Sequence, residues 1–181
     1  PGIVHRLDKD TSGILVVARN QKTFEFLKNE WQEGRVAKKY LALVWGHLKN
    51  EKGEIKSELA RSIKDFRKRM VIKPNKKSED IKGKLAITGY KVLKIYKDYS
   101  LIEVFPKTGR MHQIRVHMAS LGHPIAGDKL YGKSKKIPDG LHRQFLHAYY
   151  LKFSLPDGKS RAFEADLPAN LKEILAKIEK Q

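Results

Sequence analysis

Three short segments carry residues whose types and spacing could do chemistry. The first is His5-Arg6-Leu7-Asp8-Lys9-Asp10-Thr11-Ser12-Gly13, which crowds polar and ionisable groups into a turn just ahead of an apolar run. A sheet can hold a carboxylate in such a turn rigidly while it faces a groove, where it can serve as nucleophile or base. Asp8 and Asp10 can equally be turn residues that satisfy nearby N–H groups. The second is Thr108-Gly109-Arg110-Met111-His112-Gln113-Ile114-Arg115-Val116-His117. A helix that turns Ile114 and Met118 to the core puts Arg115 on another face, free to reach a site or to lie in solvent. The third is Lys38-Lys39-Tyr40-Leu41-Ala42-Leu43-Val44, an alternating strand in which Tyr40 is either core or a ligand contact.

The elements that must position these residues read as mixed α and β. Residues 13–18 form a short apolar run, expected as a buried strand. Asn20 can cap a helix in which Phe24, Leu27 and Trp31 recur at helical spacing, with Gly34 as its stop. Residues 36–45, 85–96 and 101–105 read as strands, the last two joined by a hairpin turn at 97–100. Thr108 is placed to cap a helix running to Leu121, with Ile114, Met118 and Leu121 on one face and Gly122 as the stop. Residues 145–155 and 161–165 form another strand pair around Pro156-Asp157-Gly158. A last helix carries Leu171, Ile174, Leu175 and Ile178. Strands joined by short turns, without regular helical crossovers, predict an α/β (α+β) fold with a largely antiparallel sheet and helices packed on it.

Composition narrows the function. The 181 residues hold 38 Lys and Arg against 20 Asp and Glu, a formal net charge of +18, with no cysteine. One domain spanning residues 1–181 is expected from this length. Absent cysteine removes disulfide scaffolds, Cys-ligated zinc and thiol nucleophiles. No apolar run approaches the roughly 18 residues of a membrane span, so a soluble, cytoplasmic protein is expected. The charge exceeds the roughly 2–8 that solubility asks of a small domain and points to a polyanion, nucleic acid first. Residues 61–77 concentrate it, with eight basic residues against Asp65 alone. Phe66, Met70, Val71 and Ile72 interrupt the run, which reads as a basic edge or loop on a folded body. Lys68, Arg69 and Lys73 are its expected phosphate contacts, positioning a nucleic acid without reading its sequence.

Two motifs are set aside. Gly127-Asp128-Lys129-Leu130-Tyr131-Gly132-Lys133-Ser134 matches a phosphate-binding loop literally. That loop needs a strand leading in and a long helix leading out, whereas His123-Pro124 precedes this string and Pro138 closely follows it. Residues 8–13 resemble the start of a calcium loop, but Arg19 stands where the bidentate Glu is needed. The pairs His112/His117 and His142/His147 are five apart and fall on different helical faces. Neither a metal nor a cofactor is expected.

Taken together, the blocks at 5–13, 39–40, 84–88 (Lys-Leu-Ala-Ile-Thr), 108–117 and 122–128 (Gly-His-Pro-Ile-Ala-Gly-Asp) resemble, in that order, the RluA-type RNA pseudouridine synthases. The resemblance runs from about residue 1 to about residue 168. It implies the pseudouridine synthase fold with a central RNA-binding cleft and a cofactor-free isomerase. By the same resemblance Asp8 matches the essential aspartate and Arg115 the arginine that pairs with it. Tyr40 matches the tyrosine that stacks on the target uracil, and Arg6 an arginine that helps extrude the base and fill its place. The chemistry suits these types: an arginine positions the carboxylate, and stacking worth roughly 1–3 kcal/mol per base offsets an extrusion cost of a few kcal/mol. In the family a strand with a Lys-Pro signature precedes the first block, often behind a small RNA-binding domain. This chain starts seven residues before Asp8, which reads as an N-terminally trimmed catalytic domain. The implied partner is structured RNA, large-subunit ribosomal RNA first and tRNA second, acted on by a monomer. The competing readings are a catalytically vestigial RNA-binding or assembly factor and a metal-dependent nuclease.

Overall fold

The computed structural model describes residues 2–72, 81–132 and 135–180. Lys73, the rest of the basic stretch beyond it, and Lys133 lie outside the described residues. Among those described, the main sheet has eight strands. Seven run in the order β10 (Ser160–Glu164), β9 (Leu146–Ser154), β4 (Ala37–Trp45), β8 (Tyr99–Pro106), β7 (Lys84–Ile95), β5 (Lys52–Arg61) and β6 (Arg69–Val71), each antiparallel to its neighbour. The eighth, β2 (Ser12–Gly13), pairs parallel with β9. The short β1 (Gly2–Ile3) pairs antiparallel with β3 (Val17–Ala18) beside the sheet. The expected largely antiparallel sheet with packed helices is what the chain forms.

The three helices are α1 (Gln21–Gln32), α2 (Gln113–Ser120) and α3 (Ala169–Glu179). Alternation along β4 sends Ala42 and Val44 into a cluster with Ile114 and Met118 of α2, and Leu43 into another with Leu171, Ile174 and Ile178 of α3. The sheet is therefore covered on both faces, as two packed layers of helix on sheet require. The helix α1 starts as expected: the Asn20 side chain accepts from the Thr23 N–H at 2.9 Å, and Leu27 packs with Leu151 and Phe153 of β9.

Three local expectations give way, and one strand was not foreseen. The run at 13–18 is split between β2 and β3, because Ser12 and Gly13 are held by β9 while Val17 and Ala18 turn to β1. The helix expected from Thr108 begins at Gln113, because the Thr108 hydroxyl is engaged elsewhere: it accepts from the Ile87 N–H at 3.0 Å and donates to Gln113 Oε1 at 2.7 Å. Leu121, expected on the core face, is 43% exposed. Strand β5 escapes a hydrophobic-pattern reading, since Ile55 and Leu59 are its only large apolar residues among lysines and glutamates. Among the described residues, the basic stretch does reach a sheet edge, with β6 outermost beside β5.

Candidate active site

The segment carrying Asp8 is fixed by β9 and the residues leading into it. Gly13 lies against Ala148 so closely that a Cβ on it would sit 2.2 Å from the Ala148 carbonyl oxygen, and its φ of +129° favours glycine as well. The Ser12 hydroxyl meets His147 Nδ1 at 2.9 Å, while His147 Nε2 donates to the Ala165 carbonyl at 3.1 Å. These two contacts hold the His147 ring in place between Ser12 and Ala165. Gln144 donates to the Lys9 carbonyl and the Thr11 hydroxyl at 2.6 and 3.1 Å, and Arg143 donates to the Asp10 carbonyl at 3.1 Å. Asp10 takes a positive φ of 68° in this turn. On the other flank, His5 stacks on Trp31 at 4.7 Å and its Nε2 accepts from the Val16 N–H at 3.0 Å. Burial, aided by the charge of Lys38, pulls the His5 pKa down to about 4, so the ring stays neutral there.

Arg115 sits behind Asp8 as the middle of a two-carboxylate clamp. Its Nη1 reaches Asp8 Oδ2 at 3.4 Å, while Nε and Nη2 grip Asp128 Oδ2 and Oδ1 at 2.7 and 2.9 Å. Asp128 Oδ1 also accepts the N–H groups of Leu130 and Tyr131 at 2.9 and 3.1 Å. The Asp8 side chain keeps 19% of its surface exposed against 6% for Arg115 and 0% for Asp128, so Asp8 is the member of the trio that can meet a ligand. Burial opposes the charge on Arg115, but hydrogen bonds and attraction to Asp128 and Asp8 hold the guanidinium above its ordinary value. Arg115 does lie off the Ile114–Met118 face, yet it is buried rather than free in solvent. Two carboxylates repay its desolvation in a way that a solvated arginine would not need.

Asp8 opens onto a cavity of about 280 Å³ that is also lined by Arg6, Lys38, Tyr40, Arg110 and His112. That is close to the roughly 300 Å³ lower bound of small-molecule sites and fits one base better than a large ligand. Tyr40 is half-buried there. Burial, with the charge of Asp8 beside it, pushes its phenol up to about 12. It is therefore a neutral aromatic surface next to an anion at ordinary pH. Arg6 is exposed at the rim. The four residues singled out first in the sequence, Asp8, Arg115, Tyr40 and Arg6, are brought to one place. Lys68 and Arg69 lie farther along: Lys68 Nζ stands 6.0 Å over the Tyr131 ring and the Arg69 N–H donates to the Tyr131 hydroxyl at 2.8 Å.

Four further residues at the site were given no role by the sequence reading. Asp128 lay inside the discarded phosphate-loop string; its signal is an aspartate followed by N–H donors two and three residues on, after a glycine. Gly127 has φ +75°, and a Cβ there would stand 2.2 Å from the Arg143 carbonyl oxygen. Lys38 lines the cavity with no carboxylate partner among the described residues, and burial lowers its pKa. Tyr131 and His112 form a bridge: the Tyr131 hydroxyl meets His112 Nδ1 at 3.0 Å and the ring lies 5.3 Å from the Arg115 guanidinium. That hydroxyl accepts from the Arg69 N–H, which leaves its own proton available for His112 Nδ1. His112 holds a left-handed φ of 56°, and strain of this sort at a non-glycine residue clusters at functional sites.

Residues 1–120 match the family model described as RNA pseudouridylate synthase. A protein of Chloroflexus aurantiacus named as an uncharacterized RNA pseudouridine synthase is 44% identical over 180 residues, covering 99% of this chain and 54% of that protein. The ribosomal large subunit pseudouridine synthase D of Zymomonas mobilis is 40% identical over 185 residues, 98% of this chain and 56% of that protein. The solved human RNA pseudouridylate synthase domain containing 1 superposes with a TM-score of 0.78 at 30% identity, over 92% of this chain and 69% of that one. The chain thus spans about half the length of the curated relatives it matches.

Proposed function

This chain belongs to the RNA pseudouridylate synthase family, and from that membership we propose that it isomerises uridine to pseudouridine in structured RNA. Large-subunit ribosomal RNA is the proposed substrate, since two relatives at 40% identity are named for that subunit. The observation that carries the reading is the partly exposed Asp8 carboxylate at a base-sized cavity, held by a clamped arginine and faced by Tyr40.

The reaction breaks the N1–C1′ bond, turns the uracil and rejoins it to the sugar through C5. The C5 hydrogen leaves as a proton and N1 gains one, so nothing is oxidised or hydrolysed. In this reading Asp8 is the catalytic residue, acting on the nucleotide as nucleophile or base. Arg115 is a positioning residue that keeps the carboxylate aimed. Tyr40 stacks on the detached uracil so that it stays while it turns, and Arg6 fills the space the extruded base leaves. Lys38, facing the same cavity, supplies a positive charge to the nucleotide's own phosphate. Residues 1–181 act as one catalytic unit.

Because C5 loses its hydrogen, tritium release from a [5-³H]uridine transcript of large-subunit ribosomal RNA reads the reaction directly. Asp8→Asn is expected to abolish release while filter binding of the transcript survives. Turnover retained in Asp8→Asn overturns the assignment. A tRNA transcript run alongside decides between the two RNA classes, and binding without release by the unaltered protein would mark a vestigial factor.

A further inference from the structure

A second cavity of about 370 Å³ adjoins the first, and the two share a wall at Gly109, Arg110 and Met111. Arg61, Arg69, Lys82, Lys84 and Arg110 line it, and no Asp or Glu among the described residues does. None of these five cations has a carboxylate partner among the described residues. We infer that this cavity is a subsite for a backbone phosphodiester of the RNA, one next to the nucleotide held in the first cavity. The inference rests on the RNA-isomerase reading and adds a specific seat for the chain beyond the target base.

Two independent features of the sheet edge point to an anion. Strands β5 and β6 place Arg61 directly opposite Arg69. Like charges facing each other across a ladder are destabilising, and a bound phosphate between them removes that conflict. Arg69 is also under-satisfied. Among the described residues, its Nη2 has only the Met111 sulfur, a weak acceptor, at 3.1 Å. Its Nη1 is shut off from solvent with no hydrogen-bond partner among the described residues. A buried donor without a partner is costly to the free protein, and a guanidinium in that state matches the two-oxygen edge of a phosphate. Arg61 and Arg110 are pre-oriented: each spends Nε on a backbone carbonyl, Phe66 at 3.1 Å and Leu85 at 3.1 Å. Their terminal amino groups remain for a ligand. The shared wall supplies adjacency, since a strand leaving the first cavity past Arg110 enters the second.

The test is Arg69→Met, with Arg69→Lys beside it. The backbone N–H bond from residue 69 to Tyr131 persists in both, and Arg69→Met removes a half-buried charge that has no carboxylate partner among the described residues, so the melting temperature should not fall. With the [5-³H]uridine large-subunit transcript, Arg69→Met should raise KM about tenfold, the scale of one lost charge-assisted hydrogen bond, more than it lowers kcat. Filter binding of the same transcript across a salt series should lose roughly 0.7–0.9 from the slope of log K against log salt, with Arg69→Lys keeping most of it. An unchanged KM and salt slope overturns the subsite, as does a fall in melting temperature without a change in KM. If the unaltered protein releases no tritium, the isomerase reading fails by itself, and the salt slope still decides whether Arg69 meets phosphate.

Discussion

At the scale of single residues, the site is organised by an arginine shared between two acids of unequal exposure. Asp128 is wholly buried and bidentate, so it fixes the guanidinium, and the guanidinium in turn aims Asp8. Asp128→Asn should therefore cost more than its distance from the cavity suggests. Removing one partner of a buried ion pair costs roughly 3–5 kcal/mol, which thermal or urea melting will read. Tritium release should fall together with stability, whereas Asp8→Asn should remove release and leave the fold intact. Asp8 and Arg115 could be singled out because each sits in a long block of sequence, and Tyr40 because its short block keeps its order between them. Asp128 was not, since its meaning depends on a partner on another element and the string around it mimics a phosphate loop. Lys38 was hidden in a doublet. Period-two alternation along β4 puts Lys38 on the same face as Tyr40, but its role depends on the cavity that the neighbouring elements form around it.

At the scale of elements, α2 is anchored less by its apolar stripe than by polar side chains reaching the sheet. Gln113 donates to the Ile87 carbonyl and the Thr88 hydroxyl at 3.0 and 2.9 Å. His117, fully buried, bonds Thr88 through Nδ1 and Ser57 through Nε2, both at 2.9 Å. Burial lowers the His117 pKa to about 4. Below about 6.5 the unfolded chain takes up a proton that the folded one refuses, so stability should drop as pH falls from 6.5 towards 4. The loss from this group approaches at most about 3 kcal/mol. Calorimetry from pH 7 to 4.5 should find His117→Asn less stable at neutrality but flatter across that range; an equal slope in both proteins would exclude His117 as the sensor. The helix itself was legible from Ile114 and Met118. Its start was not, because Thr108 and Gln113 bond to each other and to β7 rather than forming an ordinary cap.

At the scale of the whole molecule, the excess of 18 positive charges divides into paired and unpaired parts. Arg67 is held by Asp65 and Lys39 lies beside Glu103, while the cations around the second cavity have no such partners among the described residues. RNA binding should consequently weaken with salt at a slope of roughly −3 or steeper, as four or more phosphate contacts at about 0.7 each require. A slope near zero between 50 and 200 mM salt would leave the charge to solubility alone. Composition alone raised the expectation of a polyanionic partner, whereas the sheet edge that gathers these cations was not legible, since β5 shows too little apolar alternation to be seen. The topology has a temporal consequence as well. Asp8 meets Arg115 across 107 residues of chain and Ser12 meets His147 across 135. Contacts this distant close late, because the entropy of such loops is lost before the contacts return anything. A nascent polypeptide therefore assembles the carboxylate and arginine only once β9, which holds the Asp8 segment through Ser12 and Gly13, has left the exit tunnel.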